Sequence, residues 1–276
     1  MSNPIEEGDP EEVDRDNSSS SYGESPFIFT IKTTSKNQSF TLPLKEVVGN
    51  SHNFNIDWGD LSSSLIKSFD DVNRTHIYSS AGTYQISISG NCPWFSFGHV
   101  GDRLLVQSID QWGEVGLVNL SGGFSGCTNI KSIASDGYGL KDVTDFEGCF
   151  AYCRMVSIPT GLLDTCTKAT NFNSIFYQCD CITAIPIDLF KNCIEAKSLV
   201  GAFCGCTEIK IIPEKLFDNT TKVTSLDVCF SNCDKISEAP TYLFKNYTND
   251  ISIRNAFYKT KITAIPVIGA VEVIEP

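Results

Sequence analysis

Twelve cysteines and three histidines stand out among the residues of this 276-residue chain that are able to do chemistry. Cys127, Cys153, Cys179, Cys206 and Cys233 follow one another at steps of 26, 26, 27 and 27, and Cys166 precedes Cys193 by 27. Thiols at such spacing allow three chemistries. They can pair as disulfides, hold a soft metal, or line up as small buried groups in successive layers. Cys149 with Cys153 and Cys229 with Cys233 have a loose ligand spacing. However, His52, His76 and His99 all lie outside the cysteine-rich half, which leaves zinc without nitrogen partners there. The repeat explains the column most simply, because free cysteine is among the most buried residue types. A packed ladder is the expectation, ahead of disulfides and of metal.

Other catalytic signatures are missing from the sequence. No glycine-rich phosphate loop, His-Glu-x-x-His pair or Gly-x-Ser-x-Gly elbow occurs, and Gly122-Gly123-Phe124-Ser125-Gly126 reads as an entry turn. Glycoside hydrolysis needs two carboxylates at a set separation, which depends on placement in space. Few acids fall at strand positions of the repeats, so a carbohydrate-active enzyme ranks third among the functions considered. Asp57 and Asp60 form an acidic turn able to offer oxygen ligands to calcium, although hydrogen bonding within the turn is the commoner use. His76 is read as a structural hydrogen-bonder. No catalytic residue, cofactor or metal site is assigned.

The elements that position the thiols repeat with them. Phe124, Phe150, Phe176, Phe203, Phe230 and Phe257 are spaced 26, 26, 27, 27 and 27 apart, each three residues before a cysteine or, at the end, Thr260. Ile158-Pro159, Ile185-Pro186, Ile212-Pro213, Ala239-Pro240 and Ile265-Pro266 keep the same beat. A fixed period in this range predicts a stack of coils, a solenoid, over 124–266. A weaker echo at half the period (Leu163 with Cys166, Phe190 with Cys193) suggests two similar sides per coil. Ile182–Ile185 is expected as a short strand ended by Pro186, which lacks an amide hydrogen, and Leu189-Phe190 as a helical or 3₁₀ turn. One coil cannot bury its own apolar face, so neighbours must share a core.

Charge is distributed unevenly. The chain carries a net charge of −12, and residues 1–25 supply eight acids against Arg15, or −7, leaving −5 for the rest. That acidic, serine-rich start reads as a flexible arm, either solvated or ordered on attachment to a larger assembly. An acidic chain without a basic stripe repels phosphate backbones, so nucleic acid is excluded as a partner. No apolar window is long enough for a membrane span, so membrane insertion is not expected. Met1–Glu7 lacks the basic start and apolar core of a secretory signal, so export by that route is not expected either.

Between the arm and the repeats, Phe27–Ile31, Ser39–Leu42, Phe54–Trp58 and Tyr84–Ile88 alternate apolar and polar residues with turn residues between them. That pattern predicts a small antiparallel β-sandwich over 26–92. Within it, Asp57-Trp58-Gly59-Asp60, then Thr75-His76-Ile77-Tyr78 and Ala81-Gly82-Thr83-Tyr84, resemble the PKD (polycystic-kidney-disease) domain pattern, with Leu61 where that family usually has glycine. Residues 93–123 are too apolar for a free linker and are expected to cap the first coil, making a stiff joint. Residues 267–276 are expected to form a C-terminal cap.

Repeat phrases such as Cys179-Asp180-Cys181-Ile182-Thr183-Ala184-Ile185-Pro186, preceded by Ser108-Ile109-Asp110-Gln111-Trp112-Gly113, resemble BspA-like leucine-rich-repeat surface proteins of bacteria and gut-bacterial phages. The resemblance implies adhesion or ligand recognition without catalysis. The expected fold is mainly β, a PKD-like antiparallel β-sandwich followed by a leucine-rich-repeat-type solenoid with short helical turns. The expected recognition face carries Ser157, Thr183, Lys210, Ser237 and Thr263, one per coil, and Asn171, Asn173, Lys197, Ser198, Thr224 and Arg254 lie on the other side. The first functional expectation is a phage virion decoration or receptor-binding component on the virion surface. Its arm would attach to a virion protein and its solenoid would contact a host surface protein or glycan, with homo-oligomerisation left open. A bacterial cell-surface adhesin attached to the envelope is the alternative.

Overall fold

The computed structural model describes residues 25–247 and 251–269. The acidic arm up to residue 24 and the cap residues 270–276 lie outside the described residues. The chain is mainly β with almost no helix. The strands among the described residues are β1 (Phe27–Thr33), β2 (Gln38–Thr41), β3 (Asn53–Asp57), β4 (Ser63–Ile66), β5 (Thr75–Tyr78), β6 (Gly82–Asn91), β7 (Val106–Gln111) and β8 (Ser132–Ile133). Three 3₁₀ turns, Val72–Arg74, Gly101–Leu105 and Tyr138–Leu140, complete the named elements.

Alternation builds the first part. Phe27, Phe29 and Ile31 of β1, Phe54 and Ile56 of β3, and Ile86 and Ile88 of β6 point inward and are fully buried. A six-stranded sheet runs β4-β3-β6-β1-β7-β8, antiparallel except where β7 meets β8 in parallel, and β2 pairs with β5 in a second sheet. Phe40 of β2 packs on Phe29, joining the two sheets. At the Asp57–Asp60 turn Gly59 has φ +79°, and a Cβ there would fall 2.5 Å from the Gln85 carbonyl oxygen, so only glycine fits. Above it Trp58 stacks on His76 (5.1 Å, 11°), and the Tyr78 hydroxyl donates to the Trp58 carbonyl at 2.9 Å.

The segment 93–123 is more than a cover for the first coil. Its strand β7 lies beside β1 in the first sheet and hands that sheet on to β8 in the repeats. Aromatic contacts follow the same route: Phe27 stacks on Trp112 (5.8 Å), and Trp112 meets Phe124 edge-on (5.9 Å). One continuous buried cluster therefore runs from Phe27 to Ile251.

In the repeats, successive phrases lie one above another. The Phe rings stack near parallel from Phe124 to Phe257 at 5.5–5.9 Å, with interplanar angles of 3–18°. Parallel bridges join Asn119, Asp145, Asn171, Ser198, Ser225 and Ser252. Around each Phe the amides alternate. Phe150 and Tyr152 donate to Ile175 and Tyr177 in the next layer, while Ala151 and Cys153 donate three residues back to Gly148 and Phe150. No donor in this run is left over.

Three sequence expectations are corrected here. Ile182–Ile185 is not a strand: the backbone ladder runs instead through the phrase around each Phe, and of this segment the Thr183 amide alone reaches the layer before it, at Val156. Proline at every layer removes amides from that side. The Leu189-Phe190 turn is a run of single hydrogen-bonded turns, such as Leu189 to Pro186 and Cys193 to Phe190, with no continuous helix. The two sides of each coil are also dissimilar. The half-period side is joined between layers by side chains, with Asn192, Asn219 and Asn246 donating to the carbonyls of Asp164, Lys191 and Asp218 at 2.7–2.8 Å.

Candidate functional site

The cysteine column is built into this stack. Each thiol sits three residues after its Phe, at the end of a tight turn, and from the second layer on it donates across to the Phe carbonyl of the layer before. Cys153 reaches Phe124 at 3.2 Å, Cys179 Phe150 at 3.0 Å, Cys206 Phe176 at 3.1 Å and Cys233 Phe203 at 3.1 Å. All twelve cysteines stand as free thiols, and eleven are buried, with Cys181 half-buried. Burial pushes the column thiols up, Cys153, Cys166 and Cys233 to about 12, because a thiolate there would lose its water. These groups are poor nucleophiles and poor metal ligands. At the same position in the last layer Thr260 turns its hydroxyl to Phe257 in its own layer.

The polar column of the ladder side is also engaged in structure. Asn119, Asp145 and Asn171 each accept the amide two residues on through a side-chain oxygen, and the Ser225 hydroxyl does the same for Asp227. Two residues further along, Asn173 Oδ1 accepts Ser198 Oγ and the Val200 amide, and Asp227 accepts Ser252, the Arg254 amide and the Arg254 guanidinium. Burial raises the Asp227 carboxyl, but the bonds from Ser252 and Arg254 outweigh it and hold the group below its usual range. The ion pairs follow the same geometry, joining residues one layer apart, as in Lys168 with Asp142 and Lys222 with Glu195.

Ser157, Thr183, Lys210, Ser237 and Thr263 are all exposed, one in each layer. Ser157 alone stands one residue out of register with the other four. The Thr183 amide donates to the Val156 carbonyl at 3.2 Å, so Val156, not Ser157, lies beneath Thr183. Ile158 follows Phe150 by eight positions, whereas Ile185 follows Phe176 by nine, and this shorter turn shifts the alignment. Exposed apolar residues flank the row: Val156, Ile187 and Ile211 are each more than half exposed.

The acidic turn is likewise committed. Asp57 Oδ1 accepts the Gly59 amide at 2.8 Å, while Asp60 takes Ser62 on one oxygen and His76 Nε2 at 2.8 Å on the other. Burial raises the Asp60 carboxyl, yet the bonds from Ser62 and His76 bring it below the ordinary value. These two carboxylates organise a turn, and among the described residues no group of three or more His, Cys, Asp or Glu comes together to hold a metal ion. The sequence reading did not find a small aromatic cluster on the surface, where Tyr152 meets His99 (4.7 Å) and Tyr177 (5.3 Å) edge-on. Nor did it find two clefts beside β7. Tyr152 and His99 lie 53 residues apart, so no local pattern announced them.

Among the described residues no helix is long and apolar enough to cross a membrane. No family model matches the chain, and no curated protein sequence matches it at a significant level.

Proposed function

We propose that this protein is a non-enzymatic surface-recognition protein, a PKD-like β-sandwich rigidly continued by a leucine-rich-repeat-type solenoid. The observation that carries this reading is how the reactive groups are used. The column thiols donate to carbonyls, the ladder-side amides and carboxylates accept backbone amides, and Asp57 and Asp60 hold a turn. What remains free is outer surface: an exposed row at Thr183, Lys210, Ser237 and Thr263, one residue per layer, with Ser157 beside it. Regular outward groups on a stiff support suit contact with an extended host or glycan surface.

The proposed setting is a virion, where the protein acts as a decoration or receptor-binding component. Two features support it. Eleven thiols are buried unpaired, which suits assembly in a reducing compartment. The first 25 residues carry −7, an arm suited to a basic patch on a larger assembly. Mass spectrometry of purified particles, with antibody labelling of intact ones, tests the setting. Labelled particles support it, and recovery only from a cell envelope overturns it. Binding of the full chain to host cells, lost in Lys210→Glu with Thr183→Glu, tests the face.

A further inference from the structure

We infer that the junction between β1, β7 and the first two layers is a binding cleft for an acidic oligosaccharide, one bearing carboxylate or sulfate groups. This deepens the recognition reading and rests on it. Two cavities of about 470 Å³ and 400 Å³ meet there, sharing Asn129 and Lys131. Lys32 lines the first and Arg154 the second, so three cations lie along one continuous groove, and no lining residue carries a carboxylate.

That charge runs against the chain's overall −12. Four lysines of the stack, Lys168, Lys191, Lys222 and Lys235, are ion-paired to an acid one layer away. Lys32 and Lys131 have no such partner among the described residues. Arg154 has only Asp180 at 3.8 Å, with both side chains more than half exposed, a pair that an incoming anion can displace.

The remaining lining suits a sugar. Asn129 Nδ2 is held by the Leu104 carbonyl at 2.6 Å and Gln107 Nε2 by the Leu105 carbonyl at 3.0 Å. Both amides are thereby fixed with their oxygens left to accept hydroxyl groups. Leu104, 47% exposed, offers an apolar surface to the face of a ring. From β1 across β7 and layer one to layer two is three strand spacings, about 14 Å, the reach of a short oligosaccharide. No aromatic side chain lines the groove for base stacking, so single-stranded nucleic acid is the poorer occupant.

The test is titration of the full chain with oligogalacturonate, a sulfated oligosaccharide, neutral dextran oligomers and single-stranded DNA. Lys32→Glu, Lys131→Glu and Arg154→Glu are compared with Lys261→Glu, an exposed lysine of the last layer, as control, each checked for an unchanged melting temperature. The expected result is binding of one or both acidic glycans, weakened at least about tenfold by each cleft reversal because a charge-assisted contact becomes a repulsion. Lys261→Glu should leave it unchanged, and about 0.5 M salt should remove it. Binding that is indifferent to the cleft variants, or equal affinity for neutral glycan or DNA, overturns the cleft. If no acidic glycan binds but host-cell binding persists, the cleft falls and the recognition reading stands. Failure of every binding assay overturns both.

Discussion

The Cys179 thiol donates to the Phe150 carbonyl at 3.0 Å, and the same oxygen also accepts the Cys153 amide of its own layer at 3.1 Å. One carbonyl is thus shared between a turn within a layer and a tie between layers. The column position wants a group that is small, apolar enough to be buried and still able to donate. Cys179→Ala removes the donor and a sulfur-sized volume, and about 1–2 kcal/mol of stability should go with it. Cys179→Ser keeps a donor and should cost less. Guanidinium melts of the two variants check the order, and equal losses would mean that the tie contributes nothing.

Thiol accessibility gives a second expectation. Cys181 is the one cysteine that is not buried. In the native protein a disulfide reagent should therefore titrate about one fast thiol, with the remainder appearing only in denaturant. Cys181→Ser should abolish the fast phase. A native count of several fast thiols, or fewer than twelve in denaturant without reductant, would contradict the free, layered arrangement.

The same burial fixes how stability depends on alkaline pH. In the unfolded chain a thiol ionises near its ordinary value, 9.0, whereas Cys153, Cys166 and Cys233 ionise only at about 12 when folded. Above pH 9 the unfolded state binds fewer protons than the folded one, so stability is complete below that pH and falls as pH rises toward 12. Each such thiol removes about 1.4 kcal/mol per pH unit over that window. Chemical melts at pH 8, 9 and 10 under reducing conditions should show this loss. A flat profile would mean that the thiols are ionised or paired in the native state.

Much of this was legible in the sequence, and the failures have local causes. Stacking of Phe124 through Phe257 could be read because ring and thiol must recur at one pitch to lie over their counterparts. Strands β1, β3 and β6 could be read because one buried face enforces alternation. The ladder side of the repeats could not, since its backbone alternates between turn and ladder bonds and so has no two-residue period. The candidate row was read one residue out at Ser157 because a single missing residue before Ile158 leaves no mark in composition. The cleft brings Lys32 together with Lys131 and Arg154 through the pairing of β1 with β7, a contact between distant segments.

A last expectation concerns strain that repeats at one position. Two residues before each Phe the backbone turns left-handed, with φ of +62° at Gly201, +51° at Val228 and +53° at Asn255. In the layers that have another after them this residue aims its amide at the next layer, and Gly201 and Val228 do so at 2.9 Å, to Asp227 and Arg254. Glycine and asparagine tolerate that conformation, but a β-branched valine is strained by about 1–2 kcal/mol. Val228→Asn should therefore raise stability by about 1 kcal/mol, while Gly201→Val, one layer earlier at the same turn, should lower it by about 1–2 kcal/mol. A Cβ at Gly201 would come no closer than 3.4 Å to Ser174 Oγ, so the loss would report the backbone rather than a clash. Urea melts of both variants decide it, and changes of the same sign would mean that the left-handed turn is not what sets the cost at this position.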